Sequence, residues 1–562
     1  MYVESLHVEG FKKFGKPARI SLKPGMNILV GNNDCGKSTI LEALHLVLTG
    51  TYRGLSLNQA LTQDLFNVET VCDYFDCLSQ GGAEEPPCII IEATFGGDDE
   101  QLKARFEGDF NVGKAKAAGI GIRIELDREE FGPEFDEYVK GADGALPIEY
   151  YRVNRYTFAR GKLVSSMLRF RSCLIDSSAN ARGGNQQSYI AHLAKDVLAR
   201  EEQISVLQAF RDARMGFNKC DAVGVANNAL AEKVSSLSQK EVSFRSDMGN
   251  RRAWESGVVA ALDSVAFAHA GAGSQSMVEV ELALAKSLED GSGVILLEEP
   301  EAHLSHSSLN ALLSGIEERV GTQQVIVSTH SSFVANKLNL SNVSIVGPDG
   351  DVGSLEKACD STTFLFFEKL PGYETLRFLL CRAVFLVEGD CDELIVQRAY
   401  MDMHAGRLPI QDGIEVISVG GSAKRFLQLA EAVSQPVVAL IDNDGDIQAR
   451  RRQYEKYLIL GDEIDVGGRR IAVSFPARLL ARGALDSFNY NTLEPELFES
   501  NGIDGVNSIL GKAFGDRDDA LKHMKANKTE CAYKFFVTKD SVVWPDYIVS
   551  AIKFIDGALN GE

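Results

Sequence analysis

Gly31-Asn32-Asn33-Asp34-Cys35-Gly36-Lys37-Ser38-Thr39 decides how the first half of the chain folds. It fits G-x-x-x-x-G-K-[ST], a loop whose glycines let backbone N–H groups converge on phosphate oxygens. Before it, Asn27-Ile28-Leu29-Val30 predicts a buried strand. After it, Ser38 to Leu48 has helical period and no breaker. Strand, loop and helix in that order are the setting a phosphate loop needs. Lys37 would neutralise the β/γ charge of ATP and Ser38 would ligate Mg²⁺. Gly31, Asn32, Asn33, Asp34, Gly36 and Thr39 would cradle the phosphates at the helix N-terminus. A purely structural glycine turn is the plainer reading, and the flanking elements weigh against it.

Outward from the loop, Leu6-His7-Val8 and Ile20-Ser21-Leu22 also predict strands, separated by Gly15-Lys16-Pro17 and Lys23-Pro24-Gly25. Far downstream, Val294-Ile295-Leu296-Leu297 runs into Glu298-Glu299-Pro300. Of two carboxylates at a strand end, one can hold Mg²⁺ through water while the other polarises the attacking water. Val325-Ile326-Val327-Ser328-Thr329-His330 predicts another strand, ending in histidine, and Gly271-Ala272-Gly273-Ser274-Gln275 a turn before a helix. Taken singly, each is commonplace.

A second α/β pattern starts at Ala383-Val384-Phe385-Leu386-Val387 and continues through Ile414–Ile417 and Pro436–Ile441, with helices from Asp392 and Ser422 between. Strand–helix alternation at this spacing implies a parallel sheet with right-handed crossovers. The strand ends carry Glu388-Gly389-Asp390-Cys391-Asp392, Ser418-Val419-Gly420-Gly421 and Asp442-Asn443-Asp444-Gly445-Asp446. Carboxyl ends of parallel strands line one crevice, so these acids are expected to converge. So many carboxylates repel unless Mg²⁺ or Mn²⁺ sits between them. An EF-hand is rejected because Asp-Ile-Gln-Ala-Arg-Arg-Arg-Gln follows, lacking its glycine and closing glutamate. A plain acidic turn is the rival.

With 562 residues, 45% hydrophobic and 24% charged, the chain is too long for one core and reads as two to four globular domains. No apolar run approaches the roughly 18–20 residues that span a bilayer, so no membrane partner is expected. Met1-Tyr2-Val3-Glu4 lacks the basic and apolar regions of an export signal. The ten cysteines include no C-x-x-C pair, which excludes a zinc ribbon and points to a reducing cytoplasm. A net charge of −21 speaks against a wholly basic nucleic-acid coat.

Phosphate loop, Gly-Ser-Gln turn, Glu-Glu strand and strand–His together resemble the head of an ABC-type ATPase of the SMC/RecF group. Gly10-Phe11-Lys12-Lys13-Phe14 is similar to that group's N-F-R-S-F start. The resemblance implies two heads sandwiching two ATPs, with Gly273-Ser274-Gln275 of one covering the γ-phosphate held by Lys37 of the other. It makes Glu298 the Walker B acid, Glu299 the hydrolytic base, and His330 the γ-phosphate switch. Ser305-His306 stands where the family has His-Pro after E-E-P-E-x-H-L.

Glu388 with the Asp442–Asp444 pair resembles a Toprim domain, and the Ser-x-Gly strand end narrows the likeness to overcoming-lysogenization-defect (OLD) nucleases. These join an ABC head to a C-terminal Toprim domain. The expected α/β plan is a head over 1–154 and 266–350, a helical dimerisation insert over 155–265, a linker over 351–381 and a Toprim domain over 382–562. The resemblance adds Glu494 as a metal-binding glutamate and Lys528 as the catalytic lysine, with Lys534 a rival.

The implied activity is metal-dependent DNA cleavage gated by ATP. One ion would be held by Glu388 and Asp442 or Asp444, and a second lie nearer Asp392, Asp446 and Glu494. Arg450-Arg451-Arg452 is either a grip on DNA or a solvated helix face. A homodimer or larger oligomer, and in one branch a UvrD-like helicase in anti-phage defence, are the partners the resemblance implies. The competing class is a non-catalytic, ATP-switched DNA-repair scaffold of RecF/SMC type.

Overall fold

The computed structural model describes residues 1–141, 144–164, 167–168, 171–176, 198–234, 242–247, 261–290, 293–319, 323–347, 350–354, 361–369, 373–431, 433, 435–460, 469–485 and 488–560. It divides into two compact units, Met1–Leu29 with Gly36–His330, and Val30–Cys35 with Ser331–Glu562.

In the first unit an antiparallel sheet runs in the order Ala18–Ser21, Tyr2–Glu9, Ile89–Gly96, Ala117–Leu126, Glu107–Gly108, and Tyr151–Thr157 also pairs with Ala117–Leu126. Period-two alternation gives it two faces: Ile89, Ile91, Ile120, Ile122 and Ile124 are fully buried, while Arg123 and Glu125 point the other way. A parallel sheet follows the order Arg171–Asp176, Gly293–Glu298, Gln324–Thr329, Met26–Val30. Gly293–Glu298 and Gln324–Thr329 are built on the apolar runs Val294–Leu297 and Val325–Val327, as expected of strands covered on both faces.

The helix Lys37–Thr49 lies against strands of both sheets. Nine of its thirteen residues are therefore buried, although the sequence shows only a modest apolar stripe. Gln324 ties the sheets together, its side-chain oxygen accepting from the Val3 N–H and its amide donating to the Val3 carbonyl, both at 2.8 Å.

Two expectations need correction. The insert does not begin at 155: Tyr151–Thr157 belongs to the antiparallel sheet, and Arg171–Asp176 pairs in register with Gly293–Glu298. Among the described residues of this stretch only Arg200–Asn218 and Asp221–Val234 are long helices, and 165–166, 169–170, 177–197, 235–241 and 248–260 lie outside the described residues. Gly273-Ser274-Gln275 is not a turn before a helix but the first turn of the helix Ala272–Asp290. Gly273 is required there because a Cβ would meet the His303 carbonyl oxygen at 2.7 Å.

In the second unit five parallel strands run in the order Ile414–Ser418, Ala383–Val387, Val437–Leu440, Ile471–Ser474, Leu458–Ile459. The chain leaves Ala383–Val387 to one side and returns to the other, so the switch point lies between Ala383–Val387 and Val437–Leu440. Helices Leu493–Leu510, Arg517–Ala526, Lys528–Val537 and Asp546–Asn560 add Phe498, Met524, Phe535 and Ile552 to the core of this unit.

The described part of the expected linker is regular structure, and 355–360 and 370–372 lie outside the described residues. Helices Ser361–Lys369 and Tyr373–Leu380 pack Phe367 and Phe378 edge-on against Phe426, with ring centroids at 4.9 and 5.6 Å. The contact division accordingly starts the second unit at Ser331, not at 382. Among the described residues no helix is long and apolar enough to cross a membrane.

Candidate functional site

The phosphate loop takes the backbone its sequence demands. Gly36, the N-cap of Lys37–Thr49, has φ 105°, and Asp34 has φ 61°, both left-handed. Gly31 cannot be larger, since a Cβ would lie 2.5 Å from the Val346 carbonyl oxygen and 2.6 Å from Cys35 Sγ. Lys37 is buried, Thr39 too, and Ser38 is exposed. Asn32, Asn33 and Asp34 are exposed on the loop.

Within the first unit the Ser38 hydroxyl donates to the Glu298 carboxylate, joining two residues 260 positions apart. Glu298 is pushed towards its protonated form by burial, against the Ser38 hydrogen bond, with the charges of Asp176, Glu42 and Glu299 adding to the shift. Asp176, opposite Glu298 in the parallel register, escaped the sequence reading because its strand did.

Glu299 sits at φ 44° and His303 at φ 62°, unusual for non-glycine residues, and the Glu299 N–H is held by the Ser328 carbonyl at 2.9 Å. His330 Nε2 lies 3.3 Å from Glu299 Oε1. Burial, then the charge of Lys37, pull the His330 pKa down, so the ring is neutral at pH 7 and Nε2–H can donate to Glu299. Glu301, also missed in sequence, accepts from Thr329 Oγ1 at 2.6 Å and from the His330 N–H at 3.1 Å, fixing the histidine backbone. Ser274 is exposed on its helix, while neighbouring Gln275 is buried and donates to the Phe267 carbonyl at 2.6 Å.

The acids of the second unit meet at the switch point. Glu388 follows Ala383–Val387, and its Oε1 accepts from the Asp442 N–H at 3.2 Å, just beyond Val437–Leu440. Asp392 Oδ2 accepts from the Gly389 N–H at 3.1 Å, closing the N-terminus of Asp390–Met403. Glu494 is buried in the first turn of Leu493–Leu510, paired with Lys528 Nζ at 2.8 Å and accepting from Thr492 Oγ1 at 3.1 Å. Lys534, the rival lysine, instead donates to the Leu510 carbonyl at 2.8 Å.

The charges are strongly coupled. Asp442 is pushed up to about 9 by burial first, then by the charges of Glu388, Asp392, Asp444 and Glu494. Asp392 is raised to about 7 by burial and by Glu388 and Glu494. Glu388 is raised as well, chiefly by burial. Burial pulls Lys528 down, but its hydrogen bond to Glu494 and the surrounding carboxylates prevail and raise it.

Two residues behave differently from expectation. Asp446 caps the helix Ile447–Gln453, accepting from the Ala449 N–H at 2.9 Å. Arg450 is turned inward: it pairs with Asp444 and donates to the Asp442 carbonyl at 3.0 Å, bracing the acidic loop instead of facing solvent as a DNA grip. Asn489 donates to Asp444 Oδ1 at 3.1 Å. Fully buried Asn443 donates to the carbonyls of Pro476 and Arg478 at 3.0 and 2.8 Å and accepts from the Gly445 N–H.

Among the described residues no three His, Cys, Asp or Glu side chains already converge on one point, Glu494 and Asp444 being held by Lys528 and Arg450. The donor set still suits a hard divalent cation. It is all oxygen, and its members are pushed towards neutrality by burial first and then by one another's charge.

A family model for an AAA domain matches residues 5–159, and one for the overcoming-lysogenization-defect protein-like TOPRIM domain matches residues 379–444. The chromosome partition protein Smc of Coxiella burnetii is 34% identical over 131 residues, 23% of this chain and 9% of that protein. The DNA replication and repair protein RecF of Herpetosiphon aurantiacus is 25% identical over 203 residues, 34% of this chain and 50% of that protein. The chain thus spans half or less of these curated relatives. The SMC head domain from Thermotoga maritima overlaps 61% of this chain and 94% of its own at 14% identity, with a TM-score of 0.28.

Family models and strand topology together define a P-loop ATPase head followed by a Toprim domain. The chain thus joins an AAA-type ATPase domain to an OLD-like TOPRIM domain.

Proposed function

We propose that the chain is an ATP-regulated, metal-dependent DNA endonuclease acting in anti-phage defence or DNA processing. The observation that supports it is the electrostatic coupling of Glu388, Asp392, Asp442, Asp444 and Glu494, from three segments, near one sheet switch point beside Lys528.

Glu388, Asp442 and Asp444 would hold one Mg²⁺ or Mn²⁺, and Asp392 with Glu494 a second. Such ions, when bound, activate water and stabilise a leaving oxygen. Lys528, released from Glu494, offsets charge building on the phosphate. Arg450 and Asn489 keep Asp444 in place, and Asn443 fixes the loop that presents Asp442. In the head, Lys37 and Ser38 serve ATP and Mg²⁺, with Glu298 and Glu299 at the hydrolytic end. A second copy supplies Ser274, so the working unit is a homodimer or larger assembly.

The matches to Smc and RecF favour one alternative, an ATP-switched DNA scaffold without cleavage. A scaffold has no use for five coupled carboxylates. Supercoiled plasmid incubated with Mg²⁺ or Mn²⁺ is expected to be nicked or linearised by the wild type and left intact by Glu388→Ala. Equal product from both would remove the nuclease assignment.

Metal binding should also show in stability. Asp442 and Asp392 hold protons more tightly folded than unfolded, so the stability they contribute is complete below 3.8 and lost as pH rises through about 7 and about 9. Chelated protein is expected to melt at progressively lower temperature between about pH 5 and pH 9. Mg²⁺ should restore more at the alkaline end, where it no longer competes with protons. Melting curves with EDTA and with Mg²⁺ at both ends measure this, and an equal Mg²⁺ effect at both would place the ion elsewhere.

A further inference from the structure

The antiparallel sheet of the first unit carries a groove of about 840 Å³ on its polar face. Its floor comes from strand alternation: Arg123 stands opposite Asn154, Glu125 opposite Arg152, and Tyr156 opposite Gly121, all on the side away from the buried isoleucines. Gly121 is glycine because a Cβ would meet the Tyr156 ring at 2.4 Å. One wall is the loop bearing Phe110, Val112 and Lys114, and the other bears Arg160 and Lys162.

Charge in the groove opposes that of the whole chain. Six lining residues are basic and four acidic, a local excess of two positive charges in a protein of net charge −21. Three of the four acids are committed. Glu125 pairs with Arg152 at 2.9 Å and Arg123 at 3.6 Å, Asp109 pairs with Arg160 at 3.0 Å, and buried Glu92 accepts from the Tyr156 hydroxyl at 2.7 Å. Exposed Lys114 and Lys162 form no ion pair among the described residues. The same groove holds an aromatic platform. Phe110 is 45% exposed, has the Arg160 guanidinium 5.6 Å over its ring, and meets Tyr156 edge-on at 5.1 Å. A large aromatic side chain left half in water beside unpaired cations has no role in the core of this unit.

We propose that this groove binds single-stranded nucleic acid, with a base stacked on Phe110 and the sugar–phosphate backbone tracked by Lys114, Lys162 and Arg160. Stacking plus a cationic rim is how strands are held without sequence preference. The groove admits a splayed base, which a duplex does not offer. The site is separate from the Toprim acids and does not depend on cleavage, so its test runs in EDTA.

Fluorescence anisotropy of the full chain with a labelled oligothymidylate of about 20 nucleotides reads the affinity. Phe110→Ala is expected to weaken binding roughly tenfold with an unchanged salt slope. Lys114→Ala with Lys162→Ala is expected to flatten the log–log salt slope by about 1.4. A 5-iodouracil version of the oligonucleotide, photo-crosslinked to unaltered protein, should map to residues 109–162 and so covers the case of a variant that misfolds. Affinities within twofold of wild type for both variants, crosslinks confined to the second unit, or equal displacement by poly-glutamate would each overturn the proposal.

Discussion

Asp442→Asn is expected to cut metal-dependent DNA cleavage by at least about 100-fold while raising the melting temperature of the metal-free protein. Loss of activity follows because a neutral amide supplies no charge to a divalent ion, and even displaced ligand supports lose 10- to roughly 100-fold. The gain in stability follows from the same burial. In the wild type Asp442 must take up a proton on folding, because burial first, and then the charges of Glu388, Asp392, Asp444 and Glu494, lift its pKa from 3.8 to about 9. Asparagine has the same shape and nothing to protonate. The gain should therefore grow as pH rises from about 4 towards 9. A relief of at least about 1 kcal/mol corresponds to roughly 2–4 °C for a unit of this size. Calorimetry in EDTA, paired with a plasmid-cleavage time course in Mg²⁺, measures both halves. A variant that is inactive and less stable would mean that Asp442 is a structural acid whose carboxyl group supports the fold, and not one kept at a cost for chemistry.

The parts of the site that were legible in sequence are those whose chemistry is local. Gly31 to Thr39 specifies its turn by glycine positions, and Glu298-Glu299 and Asp442–Asp444 are marked by carboxylates ending apolar runs. Convergence of Glu388 and Asp442 followed from the parallel-sheet rule, because strand ends of one sheet share an edge whatever their separation in the chain. What escaped was set by distant partners. Arg171–Asp176 has an ordinary composition and becomes a strand only beside Gly293–Glu298. Leu458–Ile459 and Ile471–Ser474 are too short to show a period. The inward turn of Arg450 depends on where Asp444 ends up, which no spacing reveals. Asp446 is the exception, since an aspartate just before a helical run reads as an N-cap, and that signal was outweighed by the neighbouring acids.

Glu299→Gln and Lys37→Ala should separate the two things an ATP-driven gate must do. Glu299 stands 3.3 Å from a neutral His330 in a strained turn, and its proposed role is to take a proton from water, not to bind the nucleotide. Its glutamine variant is expected to hydrolyse ATP about 10²- to 10⁴-fold more slowly while binding it as tightly as wild type. Lys37 is buried at the start of its helix and supplies the charge that phosphate oxygens need, so alanine there should lose both binding and hydrolysis, the latter by about 10²- to 10³-fold. One variant is then held with ATP and the other without it. If the nucleotide state of the head controls the Toprim acids, the two must displace plasmid cleavage in opposite directions from wild type, because a ligand shifts an equilibrium only through its differential affinity for the two states. The direction taken by Glu299→Gln tells whether ATP licenses cutting or restrains it. Cleavage rates that coincide in both variants and the wild type would show that the two halves of the chain work independently.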